Sequence, residues 1–258
     1  MASVFEGRID SPAEIEKKNV RLPSGIPGFD DLLGEGFPNG SLYILSGPYG
    51  GHNSTFAQQV LYNRVISKGN VAYYVIENSS DDITEDMAVF NWHISKYVDD
   101  GSWKFIRLLP PSIEKIAKLT DEVPMEARIP LKSSLMPFQD SFLAMLKEER
   151  WCTMNISYIM QNFAQNDIVE LLLYMLAAVR KHGGVHFLLL TEGLIEAKTM
   201  NTIKDLVDGV FEFENTERAI EYGTTLHIRK MRRTVLSTRM IKITLMPSGM
   251  VAETASRI

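Results

Sequence analysis

Residues Ser46 to Thr55, SGPYGGHNST, limit what this chain can fold into more than any other stretch. A short apolar run, Leu42-Tyr43-Ile44-Leu45, reads as a strand before them. Phe56-Ala57-Gln58-Gln59-Val60-Leu61 opens an amphipathic helix after them. A strand, a glycine-rich turn and a helix start form the context of a phosphate-binding loop, where loop amides and a helix N-terminus together make an anion site. In the pattern GxxxxGK[ST], Gly47 takes the first position and Ser54 the last. His52 stands where the second glycine belongs, and Asn53 where the lysine belongs. The candidate phosphate contacts are therefore Gly47, Pro48, Tyr49, Gly50, Gly51, His52, Asn53, Ser54 and Thr55 in a degenerate loop.

The exchange at position 53 has a size. A hydrogen bond to a charged group contributes roughly 1.5–3 kcal/mol, so loss of the cation weakens phosphate binding by about one to two decades. A lysine also stabilises charge that develops during phosphoryl transfer, where catalysis is mostly positioning and electrostatics. Asn53 can donate a hydrogen bond but carries no charge. His52 puts a bulky side chain where glycine lets backbone approach phosphate, although a protonated imidazole would replace part of the missing charge.

Residues 21–47, RLPSGIPGFDDLLGEGFPNGSLYILSG, resemble the opening segment of the KaiC and RadA branch of the RecA superfamily. The shared elements are Gly25-Ile26-Pro27-Gly28, Asp30-Asp31-Leu32-Leu33-Gly34, and Gly36-Phe37-Pro38-Asn39-Gly40-Ser41 leading into the strand. Ala72-Tyr73-Tyr74-Val75-Ile76-Glu77 is similar to that family's second strand, which ends in an acid. Val207-Asp208-Gly209-Val210 and Leu226-His227-Ile228-Arg229-Lys230-Met231-Arg232 are similar to its C-terminal strands, the Lys-Met-Arg signature included. The resemblance runs from about Arg21 to Val251. It implies a RecA-like three-layer P-loop α/β fold, with a mainly parallel central sheet and antiparallel C-terminal strands. The organisation expected is a polar tail over residues 1–20 and a single RecA/KaiC-like domain over 21–258.

The resemblance also implies which residues an ATPase of this kind would use. Ser54 supplies a hydroxyl for Mg²⁺, in a place where a helix-opening serine is also ordinary. Paired glutamates follow the second strand in the KaiC branch; Glu77 keeps the first place and Asn78 replaces the second. An amide cannot take a proton from water, and losing a general base costs roughly 10²–10⁴-fold in rate. The Walker B aspartate is expected after a strand reaching Ile156 to Met160, and Gln161-Asn162 stand there instead. Asn53, Asn78 and Gln161 thus each lack a charge that the chemistry needs, which points to a pseudoenzyme with no confident catalytic residue. Lys230 and Arg232 match the pair that reaches the neighbouring subunit's nucleotide in hexameric relatives. Two apart on a strand, they are expected on one face. A solvated basic edge that blocks aggregation explains the same charges.

The remaining sequence bounds the setting. A chain of 258 residues with 45% hydrophobic content can bury the core of one α/β domain. A net charge of −5 argues against wholesale coating of nucleic acid. The single Cys152 excludes a disulfide framework and fits a reducing, cytoplasmic compartment. The first twenty residues hold no apolar core of signal-peptide length, and the longest apolar stretch, Leu171 to Val179, is about half a membrane span. The five histidines offer no metal-ligand spacing.

Along the chain, strands are expected at Val71–Glu77, Trp103–Leu109, Trp151–Met160 and Val185–Leu190, and a helix over Asp81–Tyr97. A second helix starts from a capping box at Asp167 and Glu170 and stops at Gly183-Gly184. Residues 111–137 are the least regular. Past Gly209, strands follow without helices.

These features lead to a non-hydrolysing protein that works through a protein or peptide partner, with a homo-oligomer expected. No cofactor is expected to be held firmly; ATP with Mg²⁺ is the candidate, at weak affinity. The alternative is a weak ATPase in which His52, or Lys230 and Arg232 of a second subunit, replaces the cation. A DNA-associated recombinase paralogue using the basic C-terminal strands is a third reading.

Overall fold

Leu42 and Ile44 face one side of the strand before the loop, and Tyr43 and Leu45 the other, so that strand needs cover on both sides. The computed structural model describes residues 20–111, 127–218, 221–236 and 240–253. The polar tail before residue 20 and much of the irregular 111–137 stretch lie outside these. In chain order the elements begin with β1 (Arg21–Leu22), α1 (Phe29–Leu32), β2 (Phe37–Pro38), β3 (Ser41–Gly47) and α2 (Asn53–Ile66). Next come β4 (Asn70–Val75), α3 (Ser80–Ala88), α4 (Ser95–Asp99), β5 (Trp103–Leu109), β6 (Ala127–Pro130) and α5 (Met136–Lys147). Then follow β7 (Arg150–Asn155), α6 (Ser157–Asn162), α7 (Gln165–His182), β8 (Val185–Thr191) and α8 (Ala197–Leu206). The last four are β9 (Gly209–Arg218), β10 (Glu221–Met231), β11 (Met240–Met246) and β12 (Gly249–Glu253).

A ten-stranded sheet of order β12-β11-β10-β9-β3-β8-β7-β4-β5-β6 forms the middle layer, and β1 and β2 pair separately. From β9 to β6 neighbours run parallel; β9 to β12 are antiparallel. This is the expected mainly parallel RecA-like sheet with antiparallel C-terminal strands. On one face Phe56, Val60 and Leu61 of α2 and Ile83 and Met87 of α3 cover Tyr43 and Leu45. On the other, Phe138 and Phe142 of α5, Leu172 and Met175 of α7 and Ile203 of α8 cover Leu42 and Ile44.

The segment before β3 is glycine- and proline-rich yet carries core rings. Phe29 lies 5.1 Å from Phe56, and Phe37 lies 5.0 Å from Tyr43 and 5.6 Å from Phe187, centroid to centroid. Aromatic pairs of this kind add about 0.5–1.5 kcal/mol each beyond their buried area. Gly209 is fixed by the same cluster: a Cβ there would sit 2.2 Å from Tyr43 Cδ1. Its neighbour Asp208 is fixed by charge. Both carboxylate oxygens accept from Arg180 at 2.8 Å, and Oδ2 also accepts the Leu42 N–H at 3.1 Å. The pair ties the end of α7 to the start of β3, a structural role for the Asp-Gly step.

Several expected boundaries move. The helix expected over Asp81–Tyr97 is two helices, α3 and α4, broken where Asn91 takes a left-handed backbone (φ 60). Ser79 caps α3 with a reciprocal capping box to Asp82. Helix α7 starts at Gln165 behind Ala164, so Asp167 lies in its first turn and is not its cap. The strand expected to reach Met160 ends at Asn155, and residues 157–162 are helix α6.

His186 is fully buried between these layers. Its Nδ1 accepts the Cys152 N–H at 3.1 Å, so the ring proton sits on Nε2 and is donated to Gly183 O at 3.0 Å. Burial holds its pKa down at about 4, against 6.5 in the unfolded chain. Between those values the unfolded state binds the extra proton, so stability falls as pH falls through the window. Between pH 7 and pH 5 this single group removes about 2 kcal/mol of unfolding free energy. Urea melts at the two pH values measure it. A His186→Gln variant is expected to show a clearly shallower pH dependence, and an unchanged slope would contradict the assignment.

Candidate functional site

The loop after β3 closes on itself. The Gly51 N–H donates to Pro48 O at 2.9 Å, Gly50 has φ 76, and Tyr49 projects into solvent with 96% exposure. His52, at the glycine position, has the left-handed backbone that glycine would supply (φ 60). For a residue with a Cβ, that conformation costs about 1–2 kcal/mol. The imidazole is half-buried, and desolvation lowers its pKa below the ordinary value. At neutral pH it is therefore uncharged.

Asn53 is the first residue of α2, and its amide is fully engaged. Nδ2 donates to Leu45 O of β3 at 3.1 Å and to Leu190 O of β8 at 3.2 Å. Oδ1 accepts the Ser54 N–H at 3.0 Å. The side chain at the lysine position thus bridges the carboxyl ends of two parallel strands. It also takes one of the first-turn amides that a helix N-terminus would offer to an anion.

Beside the loop lies a cleft of about 180 Å³. The loop contributes Pro48, Tyr49, Gly50, Asn53 and Ser54; Gln58 of α2 and Asp86 of α3 also line it. The ends of β4, β7 and β8 supply Glu77 with Asn78, Asn155 with Tyr158, and Thr191. The fold therefore brings Asn53, Ser54, Glu77 and Asn78 together. Gln161 is not among them: it is exposed on α6, and Asn155 occupies the end of β7 beside the cleft. The Asn155 Oδ1 accepts the Ser157 N–H at 2.8 Å where β7 ends and the chain turns into α6, which carries Gln161 away from the strand end. Asn155, Gln58, Asp86, Tyr158 and Thr191 were missed as cleft residues. An Asn two residues before a serine is the turn signal that could have placed the first of them.

Among the described residues, those lining the cleft include the carboxylates Glu77 and Asp86 and no lysine, arginine or histidine. Asp86 is held above the ordinary carboxylate range by partial desolvation first and by the neighbouring Asp82 charge second. The Tyr73 hydroxyl, raised to about 12 chiefly by burial, stays neutral. A third acid, Glu192, accepts from Ser46 Oγ at 3.2 Å beneath the loop.

Lys230 and Arg232 lie toward the other end of β3 from the loop, since Met231 pairs with Gly209 and Gly209 with Tyr43. Lys230 Nζ donates to the carbonyls of Lys204 and Asp205 at the C-terminus of α8, which a cation stabilises. Arg232 is exposed and stands past the end of β10, in the turn. The expectation that both share one strand face therefore fails; the strand also slips register between Ile228 and Lys230. Arg233, the residue after Arg232, takes a left-handed backbone (φ 60). Its guanidinium donates to Asn39 O at 2.9 Å and Ser41 Oγ at 2.9 Å.

No group of three or more His, Cys, Asp or Glu among the described residues could hold a metal ion, and no described helix is long and apolar enough to cross a membrane. A parallel sheet with a glycine loop between its central strand and a helix defines a P-loop α/β protein. The family model described as "ATPase: KaiC" matches residues 22–255, and the chain belongs to that family. The circadian clock oscillator protein KaiC of Thermostichus vulcanus is 25% identical over 230 residues, 87% of this chain and 42% of that protein. A UPF0273 protein of Pyrococcus furiosus is 30% identical over 95 residues, 37% of this chain and 38% of that protein. The chain thus matches about two fifths of the length of these curated relatives. The crystal structure of a KaiC-like protein from Pyrococcus horikoshii superposes with a TM-score of 0.70 over 91% of this chain and 99% of that one. At 24% identity it shows the fold.

The bridging role of Asn53 predicts an ordered set of stabilities. Asn53→Ala removes three partly buried hydrogen bonds and is expected to lose about 1–3 kcal/mol in urea unfolding. Asn53→Asp keeps the shape but sets a carboxylate against two carbonyl oxygens, so it should lose more. Wild-type stability in both variants would exclude the bridge.

Proposed function

We propose that this KaiC-family chain does not hydrolyse ATP and acts as a regulatory module that binds a protein or peptide partner. The Asn53 bridge carries this reading: the side chain at the lysine position serves the sheet and has no charge to offer a phosphate. The rest of the cleft supports it. Asn78 and Asn155 stand where the second glutamate and the Walker B aspartate belong, and Glu77 and Asp86 repel a triphosphate. His52, uncharged at neutral pH, does not replace the cation. These residues do not fit a Mg²⁺-nucleotide. Retention of Ser54 and Glu77 in the cleft is the observation that favours a weak ATPase instead.

Partner binding draws support from the edges of the sheet. On β12, the Met250 N–H and carbonyl bond Gln59, and the Ala252 N–H bonds Pro27 O, so this edge is already covered by the chain itself. Among the described residues the other edge strand is β6, which is where strand addition by a peptide is proposed. The basic C-terminal strands serve a DNA reading poorly, because Arg229 pairs with Glu212 and Lys242 with Glu253.

Purified protein is expected to show no ATP turnover above a blank prepared from the same host. Restoring both motif residues, His52→Gly with Asn53→Lys, should improve nucleotide binding by about one to two decades and leave turnover near the blank, because Asn78 and Asn155 remain. Robust hydrolysis by the wild type, abolished by Ser54→Ala, would reject the reading.

A further inference from the structure

If the cleft no longer serves a phosphate, its lining points to a different occupant. Every ionisable side chain at its wall is a carboxylic acid or a phenol: Glu77, Asp86 and the tyrosines 49, 73, 74 and 158. The lip is more acidic still. Helix α3 carries the exposed Asp81, Asp82 and Glu85 beside Asp86, and it has no basic residue. The cation that acts on this lip is Arg107 of β5, which helps lower the Asp82 carboxyl after two hydrogen bonds from Ser79, and it does not line the cleft. A cavity of about 180 Å³ is narrower than the roughly 300 Å³ at which small-molecule pockets begin. That shape suits one long side chain entering from the mouth, where Tyr49 stands almost fully exposed.

We infer that the cleft takes a basic side chain, foremost an arginine, presented by an extended segment of a partner protein, with Glu77 and Asp86 as counter-charges. The inference rests on the non-hydrolysing reading of the same cleft and names its ligand chemistry. A guanidinium presents a planar fork of donors that matches carboxylates and stacks on aromatic rings, which an ammonium does less well. Tyrosine rings also attract a cation through their faces. Asp86 reinforces the choice: its carboxyl is raised by partial desolvation and by Asp82, a strain that an arriving cation relieves. The amides of Asn78 and Asn155 add neutral partners that neither repel the cation nor compete for its charge.

Titration calorimetry on the full chain at low salt tests this with two peptides, acetyl-Gly-Arg-Gly-amide and the same peptide with citrulline in place of arginine. Citrulline keeps the shape and removes the charge. The arginine peptide is expected to bind at least about tenfold more tightly than the citrulline one. The Glu77→Gln/Asp86→Asn variant should lose that preference while melting like the wild type, since both residues are exposed. His52→Gly/Asn53→Lys, which brings a cation to the loop, should weaken arginine binding as well. Equal binding of the two peptides, no binding of either, or an undiminished preference in the Glu77/Asp86 variant would overturn the inference. ATP turnover measured on the same preparation separates the two claims. Hydrolysis defeats the non-hydrolysing reading, whereas no hydrolysis and no arginine preference defeats this inference alone.

Discussion

Two parallel strands that end side by side leave backbone carbonyls facing the loop that follows, and here one amide side chain answers both. Asn53 Nδ2 bridges Leu45 O of β3 and Leu190 O of β8, while its Oδ1 holds the Ser54 N–H at the start of α2. That connection joins the glycine loop and the first turn of α2 to the carboxyl ends of two strands. A lysine at the same position would carry a charge toward a phosphate. The asparagine instead carries a short, neutral link that binds the scaffold to itself. A partly buried hydrogen bond contributes about 1 kcal/mol net and costs more when one partner is left unsatisfied. Exchanging Asn53 therefore disturbs stability as well as ligand preference.

The charges around the cleft follow the same logic. A phosphate site depends on cations placed before the ligand arrives, and the described lining of this cleft has carboxylates in that role. Three of the described cations are engaged elsewhere. Lys230 closes the C-terminus of α8, Arg180 holds Asp208, and Arg233 clamps the turn that leads into β3. Each strengthens the sheet's framework at a distance from the loop. The result is a KaiC-family scaffold whose described cleft lining carries carboxylates and no lysine, arginine or histidine.

Much of the fold was legible because it rests on periodicity. The apolar runs around Leu42, Tyr73, Phe105 and Leu188 are short and bounded by turn residues, which favours buried strands, and the helices between them imply parallel crossovers. The misplaced features share a different cause. Ile156 to Met160 reads as a continuation of its strand, because an apolar run looks the same in a strand and in a buried helix turn. The hydrogen bond from the Ser157 N–H to Asn155 Oδ1 decides between them, and it is local and polar. The break at Asn91 depends on a left-handed backbone, which no hydrophobic pattern reveals. The Asn53 bridge was invisible for a third reason: its acceptors, Leu45 and Leu190, come together only when β3 and β8 pair.

The central claim is that the loop between β3 and α2 has become a structural joint and no longer recognises a nucleotide. Thermal unfolding with and without millimolar ATP and Mg²⁺ tests it most directly. A ligand at free concentration L that binds only the folded state stabilises it by RT ln(1 + L/Kd) and so raises the melting temperature. The account predicts overlapping transitions. A clear upward shift, lost in Ser54→Ala, would contradict it.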